Sequence, residues 1–425
     1  MSGKVKKQLR YLDLFAGAGG LSEGFIREGY IPIAHVEMNE AACNTLKTRA
    51  AFHYLLRSNS IDLYKEYISG SISRDSFYSH IPKKVLDSVI CEEIGDNTIK
   101  GLFSAIDKKL NGKRIDLIIG GPPCQAYSLV GRARDPHRME GDKRNYLFQY
   151  YAQFLEKYQP KYFVFENVLG LLSAKDFFGR RYFDTMREKF AEHGYKMQYK
   201  ILSANNYGVL QHRRRIILIG EKTDKEFVFP DLEEWHPQAT VFDLLSDLPA
   251  VPSGGGNVYS CNLKTDHSKW LDDACIRSKD FPVTFHCARP NSKIDLEIYY
   301  LAVLEWNEYH RRLQYNKLPR RLQKHQNKES FLDRFKVVAG DEPASQTVVA
   351  HIAKDGHYYI HPIIEQNRSI TPREAARLQT FPDNYFFESV SGKPSRTEAY
   401  KQIGNAVPIL LAQKIAAKLK EVWDE

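Results

Sequence analysis

Short apolar runs alternate with segments of helical periodicity along the first half of this chain. Each run has the length and the β-branched or aromatic content of a buried strand. The runs are YLDLF at 11–15, YIPIAHVE at 30–37, IDLIIGG at 115–121, YFVFENV at 162–168 and RIILIG at 215–220. Alternating strands and helices predict an α/β fold with a doubly wound, mainly parallel sheet.

Apolar residues at helical spacing predict helices between and after these strands. One stripe precedes Pro160, which closes its helix, and consists of Leu147, Tyr150, Tyr151, Phe154, Leu155 and Tyr158. A second stripe near the end of the chain consists of Val407, Leu411, Ile415, Leu419 and Val422. The segment LSEGFIREG after the first strand is also compatible with a helix. Both stripes are amphipathic, so each predicted helix has one face to bury.

Two regions break the alternation and suggest the domain organisation. Residues 53–112 form a mixed segment that we interpret as an insertion beside the sheet, within a first domain of residues 9–224. Residues 225–395 form a smaller mixed domain, and residues 396–425 a helix that returns to the first domain. Within the smaller domain, TVVAHIAKDGHYYIHP predicts a hairpin that turns at Asp355-Gly356.

A glycine-rich turn follows the first strand in DLFAGAGGLSEGF. Gly17, Gly19 and Gly20 let the backbone approach a ligand, and the next helix offers free N–H groups. Glu37 ends the second strand, 20 residues after Gly17, where a ribose-binding acid belongs in such a sheet. The pattern GxGxxG is incomplete because Ser22 occupies the third glycine position, so NAD binding remains only an alternative.

Composition narrows the class of partner. Sixty-one basic residues against 52 acidic ones give a formal net charge of +9, which favours an acidic partner such as nucleic acid. No apolar stretch approaches the roughly 20 residues of a membrane span, and Asp13 interrupts the apolar run of the basic N-terminus. The six cysteines show no CxxC spacing, so no metal site is predicted. We expect a cytoplasmic protein.

The segment GGPPCQ presents a cysteine at the end of the third apolar run. The two prolines fix the backbone and the glycines permit a sharp exit from the strand, which holds Cys124 at a sheet edge. A nucleophilic cysteine must be accessible and partly ionised, and nearby cations favour the thiolate. Arg132, Arg134 and Arg138 follow Cys124 closely and could also hold an anionic substrate.

Further polar groups stand at the ends of other predicted strands. Glu166 and Asn167 end YFVFENV, where a carboxylate gains nothing from packing. Gln211, Arg213 and Arg215 lie at the start of the last run, in QHRRRIILIG. Strand ends at one edge of a doubly wound sheet meet at one crevice, so we expect these groups, Cys124 and the glycine turn to share a site.

Taken together, the motifs resemble those of a known family. DLFAGAGG, GGPPCQ, ENV, QHRRR, RSITPREAARLQTFPD and KQIGNAVP resemble, in this order, the signature motifs of the cytosine-C5 DNA methyltransferases. The resemblance implies the fold of S-adenosylmethionine-dependent methyltransferases, with a target-recognition domain in the smaller mixed region. A free-standing chain of this length resembles the bacterial restriction-modification enzymes, which act on a short motif of double-stranded DNA.

The resemblance also implies roles for the strand-end residues. Cys124 would add to carbon 6 of a flipped cytosine, and Glu166 would assist at N3. Arg215 matches the family arginine that contacts the base, and Arg213 occupies the companion position. The residues that would contact the substrate in the pocket and in the loop that follows Cys124 are Gln125, Ser128, Arg132 and Asn167.

S-adenosylmethionine is the cofactor that the family implies. Its predicted site comprises Phe15, Ala16, Gly17, Gly19, Gly20, Leu21, Glu37, Met38, Pro123, Asn405 and Val407. The family also has an acid that contacts adenine between the second strand and PPCQ. Asp96 and Asp107 are both candidates for it, and the sequence decides for neither.

The predicted DNA-binding surface lies in the smaller domain. Residues 311–328 contain seven lysines or arginines and no acid, among them Arg320 and Arg321, which favours phosphate contacts. Thr347-Val348 resembles the Thr-Val or Thr-Leu pair of family recognition domains. By analogy with the family we expect a monomer whose activity does not need a cognate restriction endonuclease.

Three alternatives compete with this interpretation. A tRNA cytosine-C5 methyltransferase shares the core motifs, but its typical Cys-Phe-Thr tripeptide is absent from the sequence. A nicotinamide-dependent oxidoreductase could use the glycine turn, but the incomplete GxGxxG and the PPC–ENV pair argue against it. A non-catalytic DNA-binding relative would have no chemical need to keep Cys124, Glu166 and Arg215.

Neutralising Arg320 and Arg321 together is expected to weaken DNA binding and to flatten its dependence on salt. Each DNA phosphate that is no longer neutralised by a side chain lowers the slope of log K against log salt by about one. A salt titration of DNA affinity measures this slope. A slope unchanged from the parent protein would exclude the two arginines from the interface.

Overall fold

A seven-stranded sheet forms the centre of the molecule in the computed structural model, which describes residues 8–123, 146–176, 178–259, 261–278, 280–324 and 331–424. The strand order is β3-β2-β1-β4-β5-β7-β6. The first five of these strands are parallel, and β7 runs antiparallel to both β5 and β6. The strands are β1 Arg10–Leu14, β2 Ile31–Glu37, β3 Val89–Cys91, β4 Leu117–Gly120, β5 Tyr162–Asn167, β6 Tyr195–Ser203 and β7 Arg214–Lys222. The predicted mainly parallel α/β sheet is confirmed.

Helices cover both faces of this sheet and extend through the rest of the chain. Those of the first half are α1 Gly20–Arg27, α2 Glu40–Arg57, α3 Asp62–Ile68, α4 Arg74–Ser79, α5 Lys83–Leu86, α6 Ile99–Leu110, α7 Leu147–Tyr158 and α8 Tyr182–Glu192. Those of the second half are α9 Val241–Leu245, α10 Lys269–Asp273, α11 Lys293–Tyr309, α12 Pro372–Leu378, α13 Arg396–Asn405 and α14 Ile409–Glu421. A two-stranded ribbon pairs β8 Gly256–Asn257 with β9 His286–Cys287. Across the described ranges, every helix is too short or too polar to traverse a lipid bilayer.

The structure adds two edge strands that the hydrophobic pattern did not predict. Strand β3 has only three residues and lies within the segment interpreted as an insertion, so this segment contributes one edge of the sheet. Strand β6 has the sequence YKMQYKILS, whose lysines and glutamine face solvent at the other edge. Its mixed composition follows from its position, because an edge strand buries little of its surface.

The predicted hairpin around Asp355-Gly356 is wrong. Residues 350–353 form a 3-10 helix, and Ile360 bridges both Val337 and Ser369. The side chain of Asp355 explains the difference, since it accepts from Arg334 Nε at 2.6 Å and from the backbone N–H of His357 at 2.9 Å. These contacts fix the chain in an irregular bend where composition suggested a two-residue turn.

Two hydrophobic cores lie on opposite faces of the sheet. Tyr11 and Ile119 belong to the core that includes α1 and α14, whereas Leu12 and Ile118 belong to the core that includes α6, α7 and α8. A third, smaller core lies around α11. The first core also contains residues from the region 225–395 and from the tail. The predicted domain boundaries near residues 224 and 395 stay a prediction.

The helix at the end of the chain returns to the start of the sheet. Helix α14 packs on α1 so closely that a Cβ built on Gly24 would lie 2.5 Å from the Cβ of Ala412. Only a glycine permits this approach, which holds the tail beside the glycine turn that precedes α1.

Gly24→Ala is therefore expected to lower the thermal unfolding midpoint, because overpacking a tight contact costs about 1–3 kcal/mol. Gly101→Ala is the matched control. Gly101 lies in helix α6, and a Cβ there meets no atom within 4 Å. It should stabilise the protein by about 0.5–1 kcal/mol through helix propensity. Equal midpoints for the two variants would contradict the packing argument.

Candidate active site at the carboxyl ends of the strands

The glycine turn after β1 is fixed by the acid at the end of β2. Glu37 accepts the backbone N–H of Gly17 at 2.8 Å through one carboxylate oxygen and that of Asn39 at 2.8 Å through the other. Phe15 and Gly17 both have a left-handed backbone, with φ near 57° and 55°. A Cβ on Gly17 would meet no atom within 4 Å, so the turn borders open space beside Glu37. Met38 follows and is 59% exposed.

The other glycines of this turn pack against segments that are distant in sequence. A Cβ on Gly20 would lie 2.4 Å from the carbonyl oxygen of Val407, and one on Gly19 would lie 3.0 Å from the hydroxyl of Tyr385. Val407 follows Asn405, the exposed last residue of α13. The structure thus brings the predicted residues of the turn and of the tail into contact.

Asp13 is a buried carboxylic acid at the base of the same turn. It is 1% exposed, and its Oδ2 has no hydrogen-bond partner among the described residues. Burial raises the pKa of Asp13 well above its ordinary value, and the nearby charge of Glu37 raises it further. A buried acid without a partner is uncommon in a folded protein and calls for an explanation. Its isolation results from tertiary packing, which the sequence motifs do not reveal.

A carboxylate and a guanidinium meet where β5 and β7 run side by side. Arg215 Nε lies 2.8 Å from Oε1 of Glu166, and both side chains are largely but not fully buried. A second nitrogen of Arg215 donates to the carbonyl of Arg214 at 2.9 Å. The antiparallel pairing of β5 and β7 brings the two side chains together although 49 positions separate them (215 − 166).

The PPC segment is tied to the end of β5. Asn167 is buried, and its amide donates to the carbonyl of Pro122 at 3.2 Å. A Cβ on Gly121 would lie 2.7 Å from Oε2 of Glu166 and 2.8 Å from its backbone carbonyl oxygen, so only glycine fits there. Gly121 and Pro122 are therefore held against the end of β5, and Pro123 comes directly after them. The predicted residues Cys124, Gln125, Ser128 and Arg132 lie outside the described residues.

Arg213 has different surroundings from Arg215. It is fully buried, and its guanidinium donates to the carbonyl of Val348 at 2.7 Å and to that of Gly404 at 3.2 Å. These contacts hold backbone segments together. Thr347 lies beside the turn formed by residues 210–213, and its hydroxyl donates to the carbonyl of His212 in that turn.

The predicted phosphate-binding arginines lie on the smaller region, next to α11. Arg320 and Arg321 are both exposed and belong to the one-turn 3-10 helix 320–322. Arg321 pairs with Glu297 of α11, with Nη1 at 2.5 Å from Oε2. An exposed ion pair such as this one adds little stability, so Arg321 could leave Glu297 to bind another anion.

The two candidates for the adenine-contacting acid have different partners. Asp107 pairs with Lys157 at 2.8 Å between helices α6 and α7, and Asp96 accepts the hydroxyl of Tyr150 at 2.7 Å. Two other acids follow β3 directly, namely Glu92 and Glu93, and the N–H of Glu92 donates to the carbonyl of Glu37 at 2.9 Å. The hydrophobic pattern missed them because β3 has only three residues.

The fold and these strand-end residues define an α/β protein of the S-adenosylmethionine-dependent methyltransferase class. The sequence model of the family described as C-5 cytosine-specific DNA methylase matches residues 9–75 and 73–421. The chain belongs to this family, and it is a DNA cytosine methyltransferase. The family match favours DNA over the tRNA alternative, and methyltransferases of this class use S-adenosylmethionine.

Curated relatives agree over nearly the whole length. A type II methyltransferase of Bacillus paralicheniformis is 40% identical, over 97% of this chain and 98% of its own. A type II methyltransferase of Haemophilus parahaemolyticus is 30% identical, over 96% of this chain and 86% of its own.

Solved structures show the same fold. A prophage-encoded Escherichia coli chain assigned as a DNA modification methyltransferase superposes with a TM-score of 0.64 at 22% identity, over 98% of this chain and 100% of that one. A methyltransferase of Entamoeba histolytica gives 0.54 at 14% identity, over 99% and 100% of the two chains.

Gly121→Ala is expected to lower methyl transfer about tenfold or more, because the added methyl group would displace Glu166. The Gly101→Ala variant, with open space at its Cβ, should keep the parent rate. Methyl incorporation into DNA measures both. A Gly121→Ala protein with the parent rate would show that the position of Glu166 does not matter for the reaction.

Proposed function

We propose that this enzyme methylates carbon 5 of one cytosine in a short motif of duplex DNA, through a covalent adduct of Cys124 with carbon 6. The Glu166–Arg215 pair, 2.8 Å apart and beside the PPC segment, supports this most directly. It offers a hydrogen-bonding acid and a cation at the strand edge where Cys124 follows Pro123.

The proposed chemistry begins with activation of the cytosine ring. The Cys124 thiolate forms a bond to carbon 6, while Glu166 donates a hydrogen bond or proton to N3. Electron density then reaches carbon 5, which becomes nucleophilic, and Arg215 stabilises the developing charge on the base. After methylation a base removes the proton from carbon 5, and the electrons of that bond expel the thiolate. A proton gained by N3 returns to Glu166, which restores the ring.

S-adenosylmethionine, when bound, supplies an electrophilic methyl group. The residues proposed to hold it fit its chemistry, because the ligand carries sulfonium and ammonium charges. Glu37 places a carboxylate beside the open space at Gly17, and the buried acid Asp13 is close enough to Glu37 for their charges to interact. Glu37 would accept from the ribose hydroxyls, and one acid among Asp96, Asp107, Glu92 and Glu93 would accept from adenine. The other residues proposed for this site are Phe15, Ala16, Gly19, Gly20, Leu21, Met38, Pro123, Asn405 and Val407.

DNA would be held by the smaller region. Thr347 stands beside the turn that leads to Arg215, and Arg320 and Arg321 supply exposed positive charge. Arg213 is proposed as a positioning residue, since its guanidinium is directed at backbone carbonyls. The enzyme would act as a monomer in the cytoplasm and need no cognate endonuclease.

A duplex that contains 5-fluorocytosine tests the adduct. Fluorine cannot leave carbon 5 as a proton does, so the reaction stops with the protein still bonded to carbon 6. We expect a complex that survives denaturation with the parent protein and S-adenosylmethionine, none with Cys124→Ser, and no methyl transfer to tRNA. A parent protein that methylates ordinary duplex without ever forming the complex would refute the covalent route. Transfer to tRNA alone would refute the substrate.

Asp13→Asn is expected to stabilise the ligand-free protein above neutral pH. The raised pKa means that the neutral form of Asp13 stabilises the fold below the unfolded pKa, and that this is lost as pH rises through the folded value. Asparagine does not ionise, so its advantage in unfolding temperature grows with pH. The cationic methyl donor should protect the parent more than the variant, and thermal shifts with and without it measure this. Identical pH profiles would contradict the role of Asp13.

A further inference from the structure

Two buried glutamines form a continuous hydrogen-bonded chain behind the candidate active site. Gln211 precedes Arg213 and β7, and Gln379 follows helix α12. Both are fully buried. Burial of a primary amide is costly unless its donors and acceptor are paired, so the partners of these two groups define what they hold.

The chain of hydrogen bonds runs in one direction. The N–H of Val348 donates to Oε1 of Gln211 at 2.9 Å, and Nε2 of Gln211 donates to Oε1 of Gln379 at 3.3 Å. Nε2 of Gln211 also donates to the carbonyl of Leu378 at 2.9 Å. Nε2 of Gln379 donates to the carbonyl of Ile403 at 2.9 Å. Each amide therefore has a fixed orientation, because a flipped amide would oppose like groups.

These hydrogen bonds connect three backbone segments. We call residues 345–350 the strap, since its Ser345 bridges Gln211 and its Thr347 donates to the carbonyl of His212. The second segment is the turn 210–213, which leads to Arg215. The third segment consists of residues 403–407 of the tail, where a Cβ on Gly404 would lie 2.2 Å from the backbone nitrogen of Ala350.

We propose that Gln211 and Gln379 are positioning residues that hold the strap in register with the Glu166–Arg215 pair and with the tail. The inference rests on the proposed function, because Thr347 of the strap is there proposed to contact DNA. Arg213 also connects the strap to the tail, because its guanidinium donates to the carbonyls of Val348 and Gly404. The two glutamines therefore share this connection with Arg213.

A loss of this register should appear in DNA binding. Gln211→Met keeps the length and shape of the side chain but removes both donors and the acceptor. Its KM for duplex DNA should rise about tenfold or more, whereas its affinity for S-adenosylhomocysteine should stay within about twofold of the parent.

Gln402→Met is the matched control. Gln402 is also a buried glutamine, 6% exposed, and its amide accepts from Thr45 Oγ1 at 2.6 Å and donates to the carbonyl of Glu388 at 2.8 Å. Neither of these partners belongs to the strap. Its replacement should therefore lower the unfolding temperature to a similar degree but leave the DNA KM within about twofold.

Gln211→Glu adds a pH dependence of the DNA KM, which a purely structural role of Gln211 would not produce. A glutamate here keeps an acceptor for the N–H of Val348, but only its protonated form can donate to the carbonyl of Leu378. Burial favours that neutral form. The ratio of its DNA KM to that of the parent should therefore fall as pH is lowered from about 9 to about 6, while the ratio for Gln211→Met stays flat.

The outcomes separate the two ideas. Equal DNA KM values for Gln211→Met and Gln402→Met, or a flat ratio for Gln211→Glu, would overturn the positioning role. If the parent protein transfers no methyl group to DNA, the proposed function fails instead. In that case the equilibrium affinity for duplex DNA is compared between Gln211→Met and Gln402→Met. Equal affinities of these two variants would then overturn the positioning role.

Discussion

The close approach of three parallel strands at their carboxyl ends is the constraint on which the rest of this structure depends. A Cβ on Gly120 would lie 2.3 Å from the carbonyl oxygen of Leu14, and Gly121 faces Glu166 nearly as closely. Because neither position can hold a side chain, β1, β4 and β5 come together beside the PPC segment. The glycine turn after β1 and the acid of β5 are thereby brought to one edge, where their chemistry can be combined.

The chain then encloses this edge with segments distant in sequence. The tail packs the carbonyl group of Val407 on Gly20. The region before the tail is fixed by buried ion pairs, such as Arg368 with Glu374 at 2.7 Å and Arg377 with Asp383 at 2.7 Å. A fully buried ion pair adds little net stability but is costly to break, so it fixes the arrangement of the segments. The motifs RSITPREAARLQTFPD and KQIGNAVP contain the residues that make these contacts, so both motifs have a structural role.

Much of this could be predicted from the sequence, for physical reasons. Five strands are continuous apolar runs because they are buried on both faces of the sheet, and all five are confirmed. The edge strands β3 and β6 lack that pattern, being short or half exposed. The hairpin failed because the Arg334–Asp355 contact overrides local turn preference. The partners of Arg213 and the isolation of Asp13 depend on tertiary contacts that local composition does not encode.

Base-resolution mapping of methylated cytosine in the genome of a methylation-free host tests the central claim most directly. Cultures would express the parent protein, Cys124→Ser or Glu166→Gln. We predict 5-methylcytosine at one position of one short motif with the parent protein, none with the serine variant, and a strong reduction with the glutamine variant. An unmethylated genome from a well-expressed, folded parent protein, or equal methylation by the serine variant, would contradict this assignment of activity and site.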